Sequence, residues 1–223
     1  MNITDTDIFE EPQKDAVPEP TLRRMPLYHQ VLKAGNFGPQ DSVSCTQIAQ
    51  ELNLQPIQVR KDLAYTGIIG RPKTGYIAVE LMKSIEDFLG WSNLNDALLF
   101  GAGHLGKALL SYGGFREHGL NIVAGVDADE SRCGGEFAGK KIVPLSKAAS
   151  LIRRLHIRIA IIAVPASAAQ QVCDLVVGAG VKAIWNFAPV KVKVPADVIL
   201  QHENLASSLA VLSKKLNTTL KSQ

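Results

Sequence analysis

Long hydrophobic runs are missing from this sequence. The longest, such as IAIIAVPA at 159–166, stop far short of the ~20 apolar residues that a membrane-spanning helix needs. The first twenty residues, MNITDTDIFEEPQKDAVPEP, have neither a basic n-region nor an apolar h-region, so they do not read as a secretory signal. Cysteine is scarce. Cys45, Cys133 and Cys173 form an odd set without CxxC spacing, which argues against a disulfide framework or a zinc knuckle. Such thiols point to a reducing, cytoplasmic setting, with Cys45 and Cys173 in apolar helical patterns and Cys133 in a glycine-rich loop. No His, Cys and Asp residues have metal-ligand spacing, so no metal is expected.

What is present is ordinary in bulk and uneven in detail. The 223 residues are 46% hydrophobic and 20% charged, a globular composition with room for two domains of ~80 and ~130 residues. The net charge of +3 conceals a tail: residues 1–20 hold six acids against Lys14 alone. That stretch carries three prolines and little to bury, so it reads as a disordered acidic tail. The remainder has 23 basic and 15 acidic residues, basic enough to approach a polyanion.

Residues 21–90 carry helical signals in quick succession. TLRRMPLYHQVLKA (21–34) predicts a helix capped by Thr21, GNFGPQDS a loop, and SCTQIAQELN (44–53) a helix with a Ser44–Gln47 capping box. Pro56 suits the first turn of a third helix through Ala64. GIIGRPKTGYIAVE reads as a hairpin and LMKSIEDFLGW (81–91) as a connecting helix. Three helices and a hairpin in so short a span predict a winged helix-turn-helix.

From Asn95 the texture changes. DALLF, NIVAGV, RIAIIAV and KAIWNF are short apolar strands, and KVPADVIL (193–200) is a further candidate. Helical patterns lie between them, so the fold class is α/β, with a parallel sheet covered on both faces. GAGHLG (101–106) follows DALLF and opens a helix over 104–112, the context in which G-x-G-x-x-G binds a dinucleotide. Gly101 allows the turn, Gly103 the approach of a pyrophosphate, and Gly106 the packing of helix on strand; Ala102, His104 and Leu105 complete the loop. Leu105, Ala108, Leu109 and Tyr112 share the helix face expected to lie on the sheet. Asp127, 21 residues past Gly106, is placed to accept from the adenosine ribose and to repel a 2′-phosphate, favouring NAD(H); Asp129 competes for that role.

The obvious inference from such a unit is a small NAD-dependent dehydrogenase, yet the groups for hydride chemistry are lacking. There is no Tyr-x-x-x-Lys, since Tyr112 has Arg116 at that spacing. His118, His156 and His202 have no carboxylate partner visible in sequence. Dinucleotide binding without an evident reaction points to sensing rather than an enzyme. A second rival is a CoA- or nucleotide-binding module, which leaves Asp127 and the basic wing without a purpose.

VRKDLAYTGIIG with RPKTGY, then FGAGHLGKAL, AVPASAAQ, IWNFAPV and ENLASSLAVLSKKL resemble, in this order, the redox-sensing transcriptional repressors called Rex. The resemblance runs from about residue 21 to 216 and leaves out the acidic tail. It implies a homodimer that binds double-stranded operator DNA when NADH is scarce and releases it when NADH binds, with no catalysis. It also implies a winged-helix domain over 21–90, a Rossmann domain over 91–204, and a C-terminal helix over 205–223 that crosses to the partner subunit.

The oxidised and reduced cofactors differ at the nicotinamide ring, cationic in NAD⁺ and neutral in NADH. A dry apolar pocket penalises the cation. Val164, Pro165 and Ala166 on one loop and Asn186, Phe187, Ala188 and Pro189 on another are the expected lining, with Tyr112 and Phe115 completing the enclosure and Asn186 free for a polar contact. On the third helix a step of about 100° per residue groups Gln58, Lys61 and Tyr65 as the groove face, with Gln58 suited to adenine and Lys61 to guanine or phosphate. Arg71 and Lys73 on the wing suit the minor groove, and Ser44 at a helix start suits a phosphate. Arg60 points elsewhere, to a phosphate or an internal acid.

Overall fold

The computed structural model describes residues 17–72 and 74–221. Most of the acidic tail expected over 1–20, and the wing residue Lys73, therefore lie outside the described residues. The chain divides between Ser92 and Asn93 into two compact units.

The first unit runs α1 (Glu19–Ala34), β1 (Ser42–Val43), α2 (Cys45–Leu52), α3 (Pro56–Ala64), β2 (Tyr76–Ile77) and α4 (Ala78–Leu89). Met25, Tyr28, Leu32, Ile48, Val59, Leu63, Leu81 and Ile85 from its four helices form one closed core. The capping box forms: Ser44 Oγ accepts from the Gln47 N–H at 3.2 Å, and Gln47 Oε1 accepts from the Ser44 N–H at 2.8 Å. Ser44→Ala is expected to remove about 1 kcal/mol from this unit, read as a lower denaturant midpoint at constant slope. An unchanged midpoint would show the cap to be idle.

Three sequence expectations are corrected here. Thr21 is not the cap of α1. The helix opens at Glu19 behind Pro18, and Thr21 is buried inside it because its hydroxyl has an internal partner. The 67–80 segment is not a self-contained hairpin. Its tip closes through the Arg71–Gly75 bridge, and Ser42, read as loop, pairs with Ile77 while the adjoining Val43 pairs with Tyr76. Strands of two residues are too short to show a period. The connecting helix begins at Ala78 rather than Leu81, its N-terminal turn continuing directly from β2.

The second unit contains a seven-stranded sheet in the order β5-β6-β4-β3-β7-β8-β9. Its strands are β3 (Asn95–Phe100), β4 (Leu120–Asp127), β5 (Glu136–Phe137), β6 (Lys140–Pro144), β7 (Ile159–Ile162), β8 (Ala183–Asn186) and β9 (Ile199–His202). All neighbours are parallel except β5 and β6, a hairpin turned by Ala138 and Gly139, both at positive φ. This hairpin lies in the glycine-rich stretch read as loop. The expected strand at 193–200 forms later, at Ile199–His202.

Helices α5 (His104–Ser111), α6 (Gly114–Glu117), α7 (Ala148–Leu155) and α8 (Ala166–Ala179) connect the strands. Along β3, Leu98 and Phe100 join the core under α7 and α8, while Ala97 and Leu99 join the core under α5, as period-2 alternation demands. The chain order reverses between β3 and β7, so a crevice opens beyond their carboxyl ends. Helix α9 (Leu205–Lys221) follows, with Leu209, Leu212, Leu216 and Leu220 exposed. Among the described residues no helix is long and apolar enough to cross a membrane.

Candidate functional site

The crevice at the switch point is a cavity of about 450 Å³. One wall is the turn from β3 into α5. A Cβ on Gly101, whose φ is +98°, would stand 2.6 Å from the Ala163 carbonyl oxygen, and one on Gly106 would stand 1.7 Å from the Gly101 oxygen. Both positions therefore exclude a side chain for reasons internal to the fold. Gly103 is different: a Cβ there would meet nothing within 4 Å, so its openness faces the cavity rather than the protein. The first N–H groups of α5 lack intrahelical acceptors and give this rim a partial positive charge suited to phosphate.

The face of α5 that meets the sheet is not the one the spacing predicts. Leu105 and Ala108 are exposed and Tyr112 lies beyond the helix end, whereas Gly106 and Leu110 are buried and Leu109 packs beside them. The glycine at the point of closest approach, not the leucine count, decides which side turns inward.

Asp127 ends β4 and is only 6% exposed. Its Oδ2 accepts from the Ala102 N–H at 2.7 Å and its Oδ1 from the Asp129 N–H at 2.8 Å. The acid thus braces the glycine loop and lines the same cavity. Arg132 reaches Asp127 Oδ2 and Asp129 Oδ2, each at 3.3 Å, and also lines the cavity. Asp129, the rival acid, is not on the lining; the Ser131 hydroxyl at 2.6 Å, with its N–H, holds its carboxyl below the usual range. Arg132 escaped the sequence reading because no motif fixes its spacing, although a base five residues past the acid was visible.

Gly101, Gly103, His104, Leu105, Asp127, Val164, Pro165 and Phe187 line the cavity, together with Val126, Leu145, Ala163, Ala168, Val172 and Pro189. Ala102 and Gly106 are buried and are not on the lining. Ala166 starts α8 and is not on the lining.

Asn186 is fully buried, and its amide is already committed. Its Nδ2 donates to the Val190 carbonyl at 2.8 Å and meets His202 Nδ1 at 3.1 Å, while its Oδ1 accepts from the Ala188 N–H at 3.0 Å. It therefore shapes the loop after β8 rather than standing free for a ligand, a correction to the sequence expectation. Tyr112 is 57% exposed and away from the cavity. It stacks edge-on with Phe115 at 4.9 Å, which meets Trp185 at 5.5 Å, which meets the lining residue Phe187 at 4.8 Å.

In the first unit a buried carboxylate organises the third helix. Asp62 accepts from Thr21 Oγ1 at 2.9 Å, Tyr28 Oη at 2.5 Å, Gln58 Nε2 at 3.0 Å, and Arg24 Nε and Nη2 at 2.6 and 3.0 Å. Burial pushes its pKa up, but the bonds from Arg24, Tyr28, Thr21 and Gln58 outweigh it and hold the carboxyl below the ordinary range. Burial and the same carboxylate push the Tyr28 phenol up.

Sequence spacing missed this arrangement, and with it the orientation of α3. Val59, Asp62 and Leu63 point inward. At about 100° per residue the opposite side carries Ile57, Lys61 and Ala64, flanked by Arg60. Gln58 is tied to Asp62, and Tyr65 follows the helix end. The expected face of Gln58, Lys61 and Tyr65 is thus rotated from the true outward face.

A second hollow, also about 450 Å³, lies between the start of α2 and the wing. Ser44, Arg60 and Arg71 converge on it, beside Tyr76. Burial pushes the Tyr76 phenol up, and the nearby Arg60 guanidinium opposes the shift. Arg60 therefore faces the wing and pairs with no acid among the described residues.

Comparison with known proteins agrees with this division. Residues 16–64 match the family described as "Putative DNA-binding protein N-terminus" and residues 93–190 the "CoA binding domain" family. The chain is 43% identical to the redox-sensing transcriptional repressor Rex of Treponema denticola, over 92% of this chain and 98% of that one. It is 40% identical to the Rex of Bacteroides fragilis, over 90% and 91% respectively. Among solved structures, the Rex-family repressor RSP in complex with β-NAD⁺ and operator DNA superposes with a TM-score of 0.84 at 31% identity, covering 94% of this chain and 99% of that one. RSP in complex with β-NADH gives 0.83 at 31% identity, covering 92% and 97%.

Proposed function

This chain belongs to the Rex family of redox-sensing transcriptional repressors, and from that premise we propose that it holds operator DNA through its first unit and releases it when NADH enters the crevice of its second. It is a regulator, not a dehydrogenase, and NADH is its ligand rather than a consumed reactant. The observation that carries this reading is the bond from the Ala102 N–H to Asp127 at 2.7 Å, which gathers phosphate loop and ribose acid around one cavity. At the far end that cavity is walled by Val164, Pro165, Phe187 and Pro189. Such a lining accepts the neutral dihydronicotinamide and disfavours the cation, whose desolvation is uncompensated.

Two copies, joined through the exposed leucines of α9 crossing between subunits, would present two α3 helices to half-sites a whole number of duplex turns apart, about 34–36 Å or multiples. Lys61 faces the groove. Arg60 and Arg71, around the hollow at the start of α2, suit a backbone phosphate, and the charge of Lys73, outside the described residues, suits a narrow minor groove. The protein works in the cytoplasm, where NADH and DNA are both met. Because coupling is reciprocal, DNA weakens NADH binding by the factor by which NADH weakens DNA binding.

The test is a mobility shift on the protein's own upstream DNA, with NADH and NAD⁺ titrated separately. Release by NADH at far lower concentration than NAD⁺ is expected; indifference to NADH overturns the proposal. Asp127→Ser is expected to weaken NADH binding about tenfold and to improve NADPH, leaving Arg132 to meet the 2′-phosphate, as followed by nucleotide fluorescence. Equal NADPH affinity before and after would count against the role of Asp127.

A further inference from the structure

We propose that Ile57 is a specificity-determining residue that reads the methyl groups of thymine in the major groove. The inference rests on the DNA-binding reading above and assigns part of its sequence preference. Ile57 is the second residue of α3, at the end that a recognition helix turns toward base edges. It is 57% exposed and belongs to none of the apolar clusters of its unit. The inward turn of Val59, Asp62 and Leu63 fixes it on the outward side, with Ala64 two turns further along the same stripe. Gln58, whose amide would otherwise address adenine, is held by Asp62 at 3.0 Å.

The chemistry of the surroundings selects the occupant. Exposed Arg60 and Lys61 flank Ile57, a frame of positive charge suited to a polyanion and unsuited to an apolar protein partner. Within the major groove of a duplex, only thymine offers an apolar group, its C5-methyl, to such a side chain. A β-branched side chain with one stiff χ1 presents its methyls with little loss of entropy.

The test pairs a side-chain deletion with a methyl deletion. A binding duplex is first selected from random sequence by the full-length protein, and each thymine is then replaced singly by deoxyuridine. For the wild-type protein, one position per half-site is expected to lose about fourfold in affinity, the value of one buried methyl at ~0.8 kcal/mol. Ile57→Ala is expected to bind the thymine duplex several-fold more weakly and to be indifferent to deoxyuridine at that position. Its thermal stability should match the wild type, because the side chain is exposed. A wild-type protein that binds its selected duplex without sensitivity to any deoxyuridine overturns the inference, as does Ile57→Ala with the sensitivity intact. Failure to select any sequence is a different result, which defeats the DNA-binding reading itself.

Discussion

Replacing Asp62 with alanine is expected to lower the melting temperature of the first unit sharply while leaving the dinucleotide cavity in working order. The substitution strands the Arg24 guanidinium, the Tyr28 phenol and the Thr21 hydroxyl, all of which donate to that one carboxylate. Breaking a buried ion pair by removing one partner costs about 3–5 kcal/mol. A domain typically has only ~5–15 kcal/mol to lose. The second unit has its own cores under and over the sheet, so NADH titration calorimetry should give an unaltered affinity. Circular dichroism should meanwhile show loss of helix at a lowered temperature. A melting point within experimental error of the wild type would remove Asp62 from its organising role.

The pH dependence has a definite sign. Asp62 titrates lower folded than unfolded, so its contribution is fully present above the unfolded value near ~3.9 and is lost as pH falls through the folded one. Asp62→Asn should flatten the acid limb of the unfolding profile below about pH 4, even where the variant is already weaker.

The second large effect separates two glycines of one motif. Gly106→Ala drives a methyl into the Gly101 carbonyl, where 1.7 Å is available, so the loop must shift and NADH binding should fall by about a hundredfold or more. The ligand-free protein should also melt earlier. Gly103→Ala meets nothing in the ligand-free protein, so its melting temperature should stay put. Its cost should surface only when a pyrophosphate approaches, as a weakening of NADH binding by roughly tenfold or more. If both variants behaved alike in stability and binding, the assignment of separate duties to the two glycines would be wrong.

The two halves of this molecule were unequally readable. Pro56 at the start of α3, the Ser44–Gln47 box, and GAGHLG between a strand and a helix are local signals, each fixed by backbone geometry within a few residues. Asp127 was legible because a strand and a helix separate it from the glycines by a nearly constant length. What stayed hidden depends on partners distant in sequence. The inward side of α3 is set by a carboxylate three of whose four donor residues sit 34 to 41 residues earlier, at Thr21, Arg24 and Tyr28. A polar residue at a core position defeats any pattern that counts apolar ones. Asn186 appeared free because its partners, Val190 and His202, lie beyond the strand it ends. The pairing of Val43 with Tyr76 spans two helices, α2 and α3, and leaves no period to detect.

The Asp62 cluster also bears on how such a protein can change over generations. Its orientation of α3 comes entirely from the interior, through bonds that none of Ile57, Lys61 or Ala64 takes part in. Substitutions on the outward stripe therefore leave the fold's anchor untouched, and a lineage can exchange one DNA sequence for another without passing through an unstable intermediate. In the proposed complex the constraint is inherited by the side turned away from the DNA, and the freedom by the side that would meet it.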